Sequence, residues 1–394
     1  MDPSIPRPIR VLLLAREMGP GGTERQLTEL AKALDRRSFE PHVAYFREGF
    51  RSEELREAGI ACLCLGVQSF LNPQAFRKAW ALGSYIRRHR IHIVHTFDYP
   101  LTCFGVPVAR AFGAPIVLSS QRAHRMLIPR AYLWMVRLTD RIVNGIVVNC
   151  EYMRRHVTDD EHFPSDKVHL CYNGLNISCF SAHGAVFPPR KGGGDTVTVG
   201  SVSVLRPEKN LRLLLHAFAR LTPETPNARL ILVGSGPERG NLESLARELG
   251  ISDRCMFQAA QRDVSVWLRA MDIFVLPSIS EALSNSLMEA MGCGCAVIAS
   301  NAGGNSELIT SGRTGLLFDS ENVEDLAKEL KRLVEDRNLR AELGKNAVQS
   351  IHSGFSLGAS TQAMQNIYSS FFRGDDVGRG NGAILAHAAG SGRK

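Results

Sequence analysis

Twice along this chain, short apolar runs alternate with stretches of helical periodicity, and that double alternation restricts the fold more than any other feature. In the first half the runs are Val11–Ala15, His42–Phe46, Ile91–His95, Ile116–Ser119 and Ile146–Asn149. In the second they are Thr196–Val202, Arg229–Val233, Ile273–Leu276, Ala296–Ala299 and Gly315–Phe318, with helices expected after Glu208, Glu238 and Ser284 and near Val323–Asp336. Strands separated by helices in this way predict two parallel sheets, each covered by helices on both faces. A Gly- and Pro-rich break at Ser181–Asp195, containing Pro188-Pro189 and Gly192-Gly193-Gly194, separates the two series and is the expected hinge. A length of 394 residues agrees with two cores rather than one. The expected domains are therefore residues 1–185 and 186–355, followed by a helical segment over 356–373. The tail 374–394, rich in Gly and Ala without a periodic face, is expected to lack fixed structure.

With 44% apolar and 22% charged residues the chain reads as globular. Its longest apolar runs, such as Val11–Ala15 and Ile142–Val148, fall far short of the roughly 20 residues of a membrane span. The opening MDPSIPRPIRVLLLA has no apolar core followed by a small-residue cleavage site, so a cytoplasmic location is expected. Nine cysteines, mostly in apolar segments, read as reduced thiols. Cys62 with Cys64, and Cys293 with Cys295, are spaced too closely for structural zinc and are expected to pack in cores.

The net charge of +8 sits almost wholly in the first half. Between Arg77 and Arg141 eleven Lys and Arg face only Asp98 and Asp140, a local balance of +9. Within that region Arg122–Arg141 reads RAHRMLIPRAYLWMVRLTDR, arginines spaced among Tyr132, Leu133, Trp134 and Met135. Such a pattern suits an interfacial helix on anionic lipid, so residues 77–141 are a candidate surface for peripheral membrane docking; the alternative is a solvated basic face over an ordinary core helix. No nucleic-acid recognition motif accompanies the charge, and nucleic acid is not an expected partner.

Chemistry concentrates in PSISEALSNSLMEAMGCGCAVIAS, residues 277–300, where Glu281 precedes and Glu289 follows a helix start near Ser284–Ser286. The backbone amides of Ser284, Asn285 and Ser286 at that helix start favour an anion such as a diphosphate, and the carboxylates suit sugar hydroxyls. A glutamate inside the apolar stretch Leu287–Met291 needs a partner to offset its burial. Arg206 and Lys209, in SVSVLRPEKN, follow a strand and so lie at the carboxyl end of a parallel sheet, where ligands of open α/β folds bind. Gly21 and Gly22 end the first strand and open a helix, with Thr23 or Glu24 as its expected cap. His95 ends the strand Ile91–His95 and is expected either at the cleft edge or as a hydrogen-bonded core histidine.

These segments resemble the family 4 glycosyltransferases, retaining enzymes of the GT-B fold. The resemblance rests on Gly21-Gly22-Thr23-Glu24, Tyr172-Asn173-Gly174-Leu175-Asn176, Arg206 with Lys209, Gly234-Ser235-Gly236-Pro237, Glu281 with Glu289, and Gly303-Gly304-Asn305-Ser306-Glu307-Leu308, in that order over roughly residues 9–372. It implies an α/β architecture of two Rossmann-like parallel-sheet domains facing a central cleft, the first for the acceptor and the second for a nucleotide-sugar donor. The final helix would pack back on the first domain. By resemblance Arg206 and Lys209 meet the donor diphosphate, Glu281 the donor sugar and Glu289 the ribose. Gly21, Gly22, Gly234, Gly236 and the segment Ser284, Asn285, Ser286 and Leu287 complete the donor set. On the acceptor side stand His95, Asp98, Gln121 and Arg122.

The sequence departs from the family pattern at Ala282 and Ser284, where glycines are frequent, and at Gln121, where many members carry a histidine near the reacting sugar. The resemblance implies a same-face transfer in which the leaving phosphate helps to deprotonate the acceptor hydroxyl, with no protein nucleophile, cofactor or metal. The expected reaction moves a sugar from a nucleotide-diphosphate donor to a glycan or lipid-linked acceptor during surface polysaccharide or lipopolysaccharide assembly. A nucleotide-sugar epimerase of the same fold and a non-catalytic nucleotide-sugar-binding subunit of a membrane-docked complex remain as alternatives.

Overall fold

The computed structural model describes residues 8–67, 74–185 and 196–373. Two compact units emerge: one comprises the chain up to Gly174 together with the segment from Leu357, the other Leu175–Ser356. The first contains β1 (Ile9–Glu17), β2 (Phe39–Arg47), β3 (Ala61–Cys64), β4 (Ile93–Thr96), β5 (Ile116–Gln121), β6 (Gly145–Val148) and β7 (Val168–Leu170). They form a seven-stranded sheet in the order β3-β2-β1-β4-β5-β6-β7, and every pairing is parallel. Val11, Leu12, Leu13 and Leu14 on central β1 are all fully buried. A strand covered on both faces has no reason to alternate, which is why its apolar run is unbroken.

The second unit contains β8 (Val197–Val202), β9 (Ala228–Val233), β10 (Cys255–Gln258), β11 (Ile273–Leu276), β12 (Ala296–Ser300) and β13 (Leu316–Phe318). Its six strands are again all parallel, in the order β10-β9-β8-β11-β12-β13. The helix Leu211–Leu221 buries Leu211, Leu214, Leu215 and Phe218 in that unit's core, and the helix Val323–Glu335 adds Leu326, Leu330 and Leu333. Asn322 caps the second of these by accepting the Asp325 amide at 3.0 Å.

The last helix, Leu357–Arg373, belongs to the first unit, where Met364, Ile367 and Tyr368 lie in the same apolar cluster as β1 and β2. The division after Gly174 differs from the expected boundary at residue 185. Part of the Gly/Pro-rich break lies in the second unit, and its residues 186–195 fall outside those described, as does the tail 374–394. Three strands have no counterpart in the expected set: β3, β7 and β10. All are sheet edges. The edge position also corrects the packing of one cysteine pair, because Cys62 is only half-buried and Cys64 is exposed on β3. Cys293 and Cys295 are buried, and neither is in a disulfide.

Candidate functional site

In a sheet whose strands all run one way, the loops after β8 and β11 emerge at the same edge. The first loop carries Arg206, which precedes the short helix Pro207–Lys209, while Asn210 takes the left-handed conformation, φ +47°, that starts the helix Leu211–Leu221. The second carries Glu281. Lys209 Nζ lies 2.6 Å from Glu281 Oε1, and Ser278 Oγ donates to the same oxygen at 2.8 Å. The Ile279 amide donates to the Glu208 carbonyl at 3.0 Å, so the loops are tied by backbone as well as by charge. Both members of the ion pair are largely buried. Arg206 is different: its guanidinium is exposed, with Glu208 3.9 Å away.

Two pairs of glycines make this arrangement possible. A Cβ on Gly234 would lie 1.8 Å from the Ser203 carbonyl oxygen, and one on Gly236 would lie 2.3 Å from that of Leu205. These residues make room for the backbone that delivers Arg206; the resemblance also assigned them to the donor set. Gly303, at φ +59°, stands against Glu281 in the same way, with a Cβ position 1.8 Å from the Glu281 carbonyl oxygen. The Gly304 amide then donates to the Ala282 carbonyl at 3.0 Å. Ser278, Gly303 and Gly304 thus position Glu281. Ser278 was not singled out from sequence because its role depends on where the loop folds. Ala282 does not adopt a left-handed backbone, so the glycine frequent in the family is not required there.

The helix that follows runs over Asn285–Gly292 with Ser284 as its cap, the Ser284 hydroxyl accepting the Leu287 amide at 3.4 Å. That bond commits the Leu287 amide internally. The amides of Asn285 and Ser286 remain at the positive end of the helix. Glu289 lies one turn further on and is only 4% exposed.

In the first unit the carboxyl ends of β1, β4 and β5 bring together Gly21, Gly22, Asp98, Gln121 and Arg122. The helix Gly22–Ala33 starts at Gly21 without a side-chain cap, in place of the expected Thr23 or Glu24 cap. The Glu24 carboxyl instead folds back over Gly21, where a Cβ would lie 2.0 Å from Glu24 Oε2, and bonds its own amide. Burial pushes the Glu24 pKa up to about 7. Asp98 caps the helix Tyr99–Ala111, its two oxygens accepting the Leu101 and Arg16 amides at 3.0 Å each, and burial raises its pKa to about 6.

Of the two readings of His95, the structure shows the hydrogen-bonded core histidine and not the cleft-edge imidazole. It is fully buried, with Nδ1 2.8 Å from the Tyr368 hydroxyl and Nε2 2.9 Å from Ser120 Oγ. Burial lowers its pKa to about 3, so it is a neutral structural link between β4, β5 and the last helix. Asp98, with both oxygens on backbone amides, is likewise structural. Gln121 is buried and donates to the Ala123 carbonyl at 2.5 Å, which leaves it no imidazole-like role.

The basic region is less exposed than its composition implied. Arg125 is buried between Asp140, at 2.7 Å, and Glu161, at 3.1 Å. Arg137 pairs with Glu161 at 2.9 Å, and Arg110 bonds Asn144 Oδ1 at 2.7 Å. The helix Arg130–Asp140 nevertheless presents Trp134, 58% exposed, and Leu138 beside exposed Arg130 and Arg137, with Met126 and Leu127 exposed in the preceding turn. His124, His156 and Asp160 place metal-capable atoms within 4.8 Å of one another. His124 Nδ1 accepts the Met126 amide at 3.2 Å, and His156 Nδ1 lies 2.8 Å from Asp160 Oδ2 within the group. No helix among the described residues is long and apolar enough to cross a membrane.

Two parallel sheets, each with its loops gathered at the strand ends, define the GT-B class of glycosyltransferase folds. Residues 20–178 match the sequence profile of Glycosyltransferase Family 4, and residues 189–350 that of Glycosyl transferases group 1. The chain belongs to this family. It is 32% identical over 176 residues to the lipopolysaccharide core biosynthesis glycosyltransferase LpsE of Rhizobium meliloti (strain 1021), covering 45% of this chain and 51% of that protein. It is 30% identical over 256 residues to a D-inositol 3-phosphate glycosyltransferase of Streptomyces bingchenggensis (strain BCW-1), covering 61% of this chain and 55% of that one. The chain spans about half the length of the curated relatives it matches. Among solved structures, Anabaena Alr3699/HepE in complex with UDP and glucose superposes with a TM-score of 0.80 at 21% identity, covering 92% of this chain and all of that one. WaaG, a glycosyltransferase involved in lipopolysaccharide biosynthesis, gives 0.73 at 16% identity, covering 91% and 99%.

Proposed function

We propose that this protein transfers a sugar, with retention of configuration, from a nucleotide-diphosphate donor to a glycan or lipid-linked acceptor during surface polysaccharide or lipopolysaccharide assembly. The observation that carries the reading is the set Arg206, Lys209–Glu281 and the helix start at Ser284, gathered at one sheet edge of the second unit. Exposed Arg206 supplies a cation to the diphosphate as its charge grows, and the Asn285 and Ser286 amides supply dipoles that need no reorganisation. Lys209, held by Glu281, brings a second cation to the same edge without the entropy of a free side chain. Glu281 keeps one oxygen on Lys209 and Ser278 and has a second for a sugar hydroxyl, and Glu289 takes the ribose. The leaving phosphate accepts the acceptor proton, so neither a protein nucleophile nor a metal is required. The solved relatives holding UDP or UDP-glucose support a nucleotide-sugar donor.

The exposed Trp134 and Leu138, with Arg130 and Arg137 beside them, support docking on an anionic membrane from the cytoplasmic side, where a lipid-linked acceptor would be met. The decisive experiment incubates the whole protein with a panel of nucleotide sugars and polyprenyl-linked saccharide, following nucleotide release and product mass. Acceptor-dependent release that collapses in Arg206→Ala and Glu289→Gln supports the reading. Donor isomerisation without acceptor would replace it with an epimerase, and nucleotide binding without release under any acceptor with a binding subunit.

A further inference from the structure

Arg122 and Arg125 lie three residues apart in one segment, yet their electrostatic surroundings are opposite. Arg125 is neutralised by Asp140 and Glu161. Arg122 has no carboxylate partner among the described residues. Its NH1 donates to Asn173 Oδ1 at 2.8 Å, its plane lies over the Phe97 ring at 5.0 Å, and its Nε is enclosed without a hydrogen-bond partner. The side chain keeps partial exposure but is densely surrounded, and that crowding lowers its pKa to about 10. A guanidinium offers five donors, and a cation so enclosed is costly until an anion meets it.

The surroundings are built by three neighbouring strands. Arg122 follows β5, Asn149 follows β6 and Asn173 follows β7, adjacent in the sheet and parallel, so all three leave it at one edge. Asn149 Nδ2 reaches the same Asn173 oxygen at 3.5 Å, while Asn149 Oδ1 is buried without a partner. The site therefore lacks an anion at Arg122 and a hydrogen-bond donor at Asn149. A phosphate ester beside a sugar hydroxyl supplies both.

We propose that Arg122, with Asn149 and Asn173, binds the phosphate or diphosphate group of a phosphorylated saccharide acceptor, making Arg122 the residue that selects anionic over neutral acceptors. The inference rests on the reading of the first unit as the acceptor half of a glycosyltransferase.

The test uses the whole protein, Arg122→Gln and Arg122→Lys, each checked for native circular dichroism. In an Arg206→Ala background with excess UDP present, inorganic pyrophosphate and methyl phosphate should raise the melting temperature of the protein carrying Arg122. The shift should vanish in Arg122→Gln and be partly restored in Arg122→Lys. In turnover, kcat/KM for a polyprenyl-diphosphate saccharide relative to the same saccharide as an alkyl glycoside should fall roughly 10- to 100-fold in Arg122→Gln, with the donor KM unchanged. Equal losses on both acceptors, a changed donor KM, or a phosphate shift that survives Arg122→Gln would each overturn the proposal. Failure of every acceptor would remove the transferase reading, while the pyrophosphate shift would still decide whether Arg122 holds phosphate.

Discussion

Replacing Gly303 by alanine tests how Glu281 is held, and the structure allows the cost to be separated into two parts. The backbone at Gly303 is left-handed, φ +59°, which costs a residue with a Cβ about 1–2 kcal/mol. A Cβ there would also stand 1.8 Å from the Glu281 carbonyl oxygen, so the loop carrying Glu281 must retreat by more than an ångström. Forcing an extra methyl into a packed site adds about 1–3 kcal/mol. Gly312 is the control: it has φ +78° and nothing within 4 Å of its Cβ position, so Gly312→Ala carries the dihedral cost alone. Both glycines belong to the second unit, and in a domain of that size each kcal/mol lowers the melting temperature by roughly 2–4 °C. Gly303→Ala should therefore melt roughly 2–12 °C below Gly312→Ala in differential scanning calorimetry. Because a displacement of about 1 Å at a reacting centre costs on the order of 100-fold in rate, donor turnover should fall by about that factor in Gly303→Ala and hardly at all in Gly312→Ala. Equal melting temperatures and equal turnover for the two variants would refute the claim that Gly303 positions Glu281.

Three further expectations follow from the sites described. On the proposed function, Lys209→Met should lower kcat by roughly 100-fold or more, since it would remove a cation from the diphosphate and release Glu281, whereas Lys209→Arg should recover part of the activity. The Glu24 carboxyl, raised by burial from its usual 4.5 to about 7, holds its proton in the folded state where the unfolded chain has lost it, so it lowers stability as pH rises through that window and costs nothing below it. Glu24→Gln should flatten that part of the melting-temperature profile between about pH 4.5 and 7, and an unchanged slope would show that Glu24 titrates normally. Flotation with anionic vesicles should fall at least several-fold in Trp134→Glu with Leu138→Glu, and binding that persists in this double variant would move the membrane contact elsewhere.

The central strands were legible because burial on both faces leaves an uninterrupted apolar run, as in Val11–Ala15 or Ile273–Leu276. Three of the four edge strands were not. ACLC of β3 and CMFQ of β10 are part-exposed and short, and nothing local separates them from loops. In the second unit the sequence placed Arg206, Lys209, Glu281 and the helix start together, since each lies beside a strand end. It could not show that Lys209 and Glu281 meet, or that Gly303 supports Glu281, because those contacts arise only when distant segments close on one another. The basic segment reads as more exposed than it is for the same reason: the carboxylates that neutralise Arg125 lie at 140 and 161, the second beyond the end of that segment. His95 looked available because its strand end was visible while Tyr368 was not.

The last helix has a consequence for biosynthesis. Tyr368, Met364 and Ile367 complete a core whose other members lie before residue 175, yet the ribosome makes them only after the whole of the second unit. During translation the second unit can close on itself while the first waits with an open apolar seam and with His95 Nδ1 lacking its Tyr368 partner. Nascent chains halted after Ser356 should bind trigger-type chaperones through the first unit, and release of Leu357–Arg373 from the exit tunnel should end that binding.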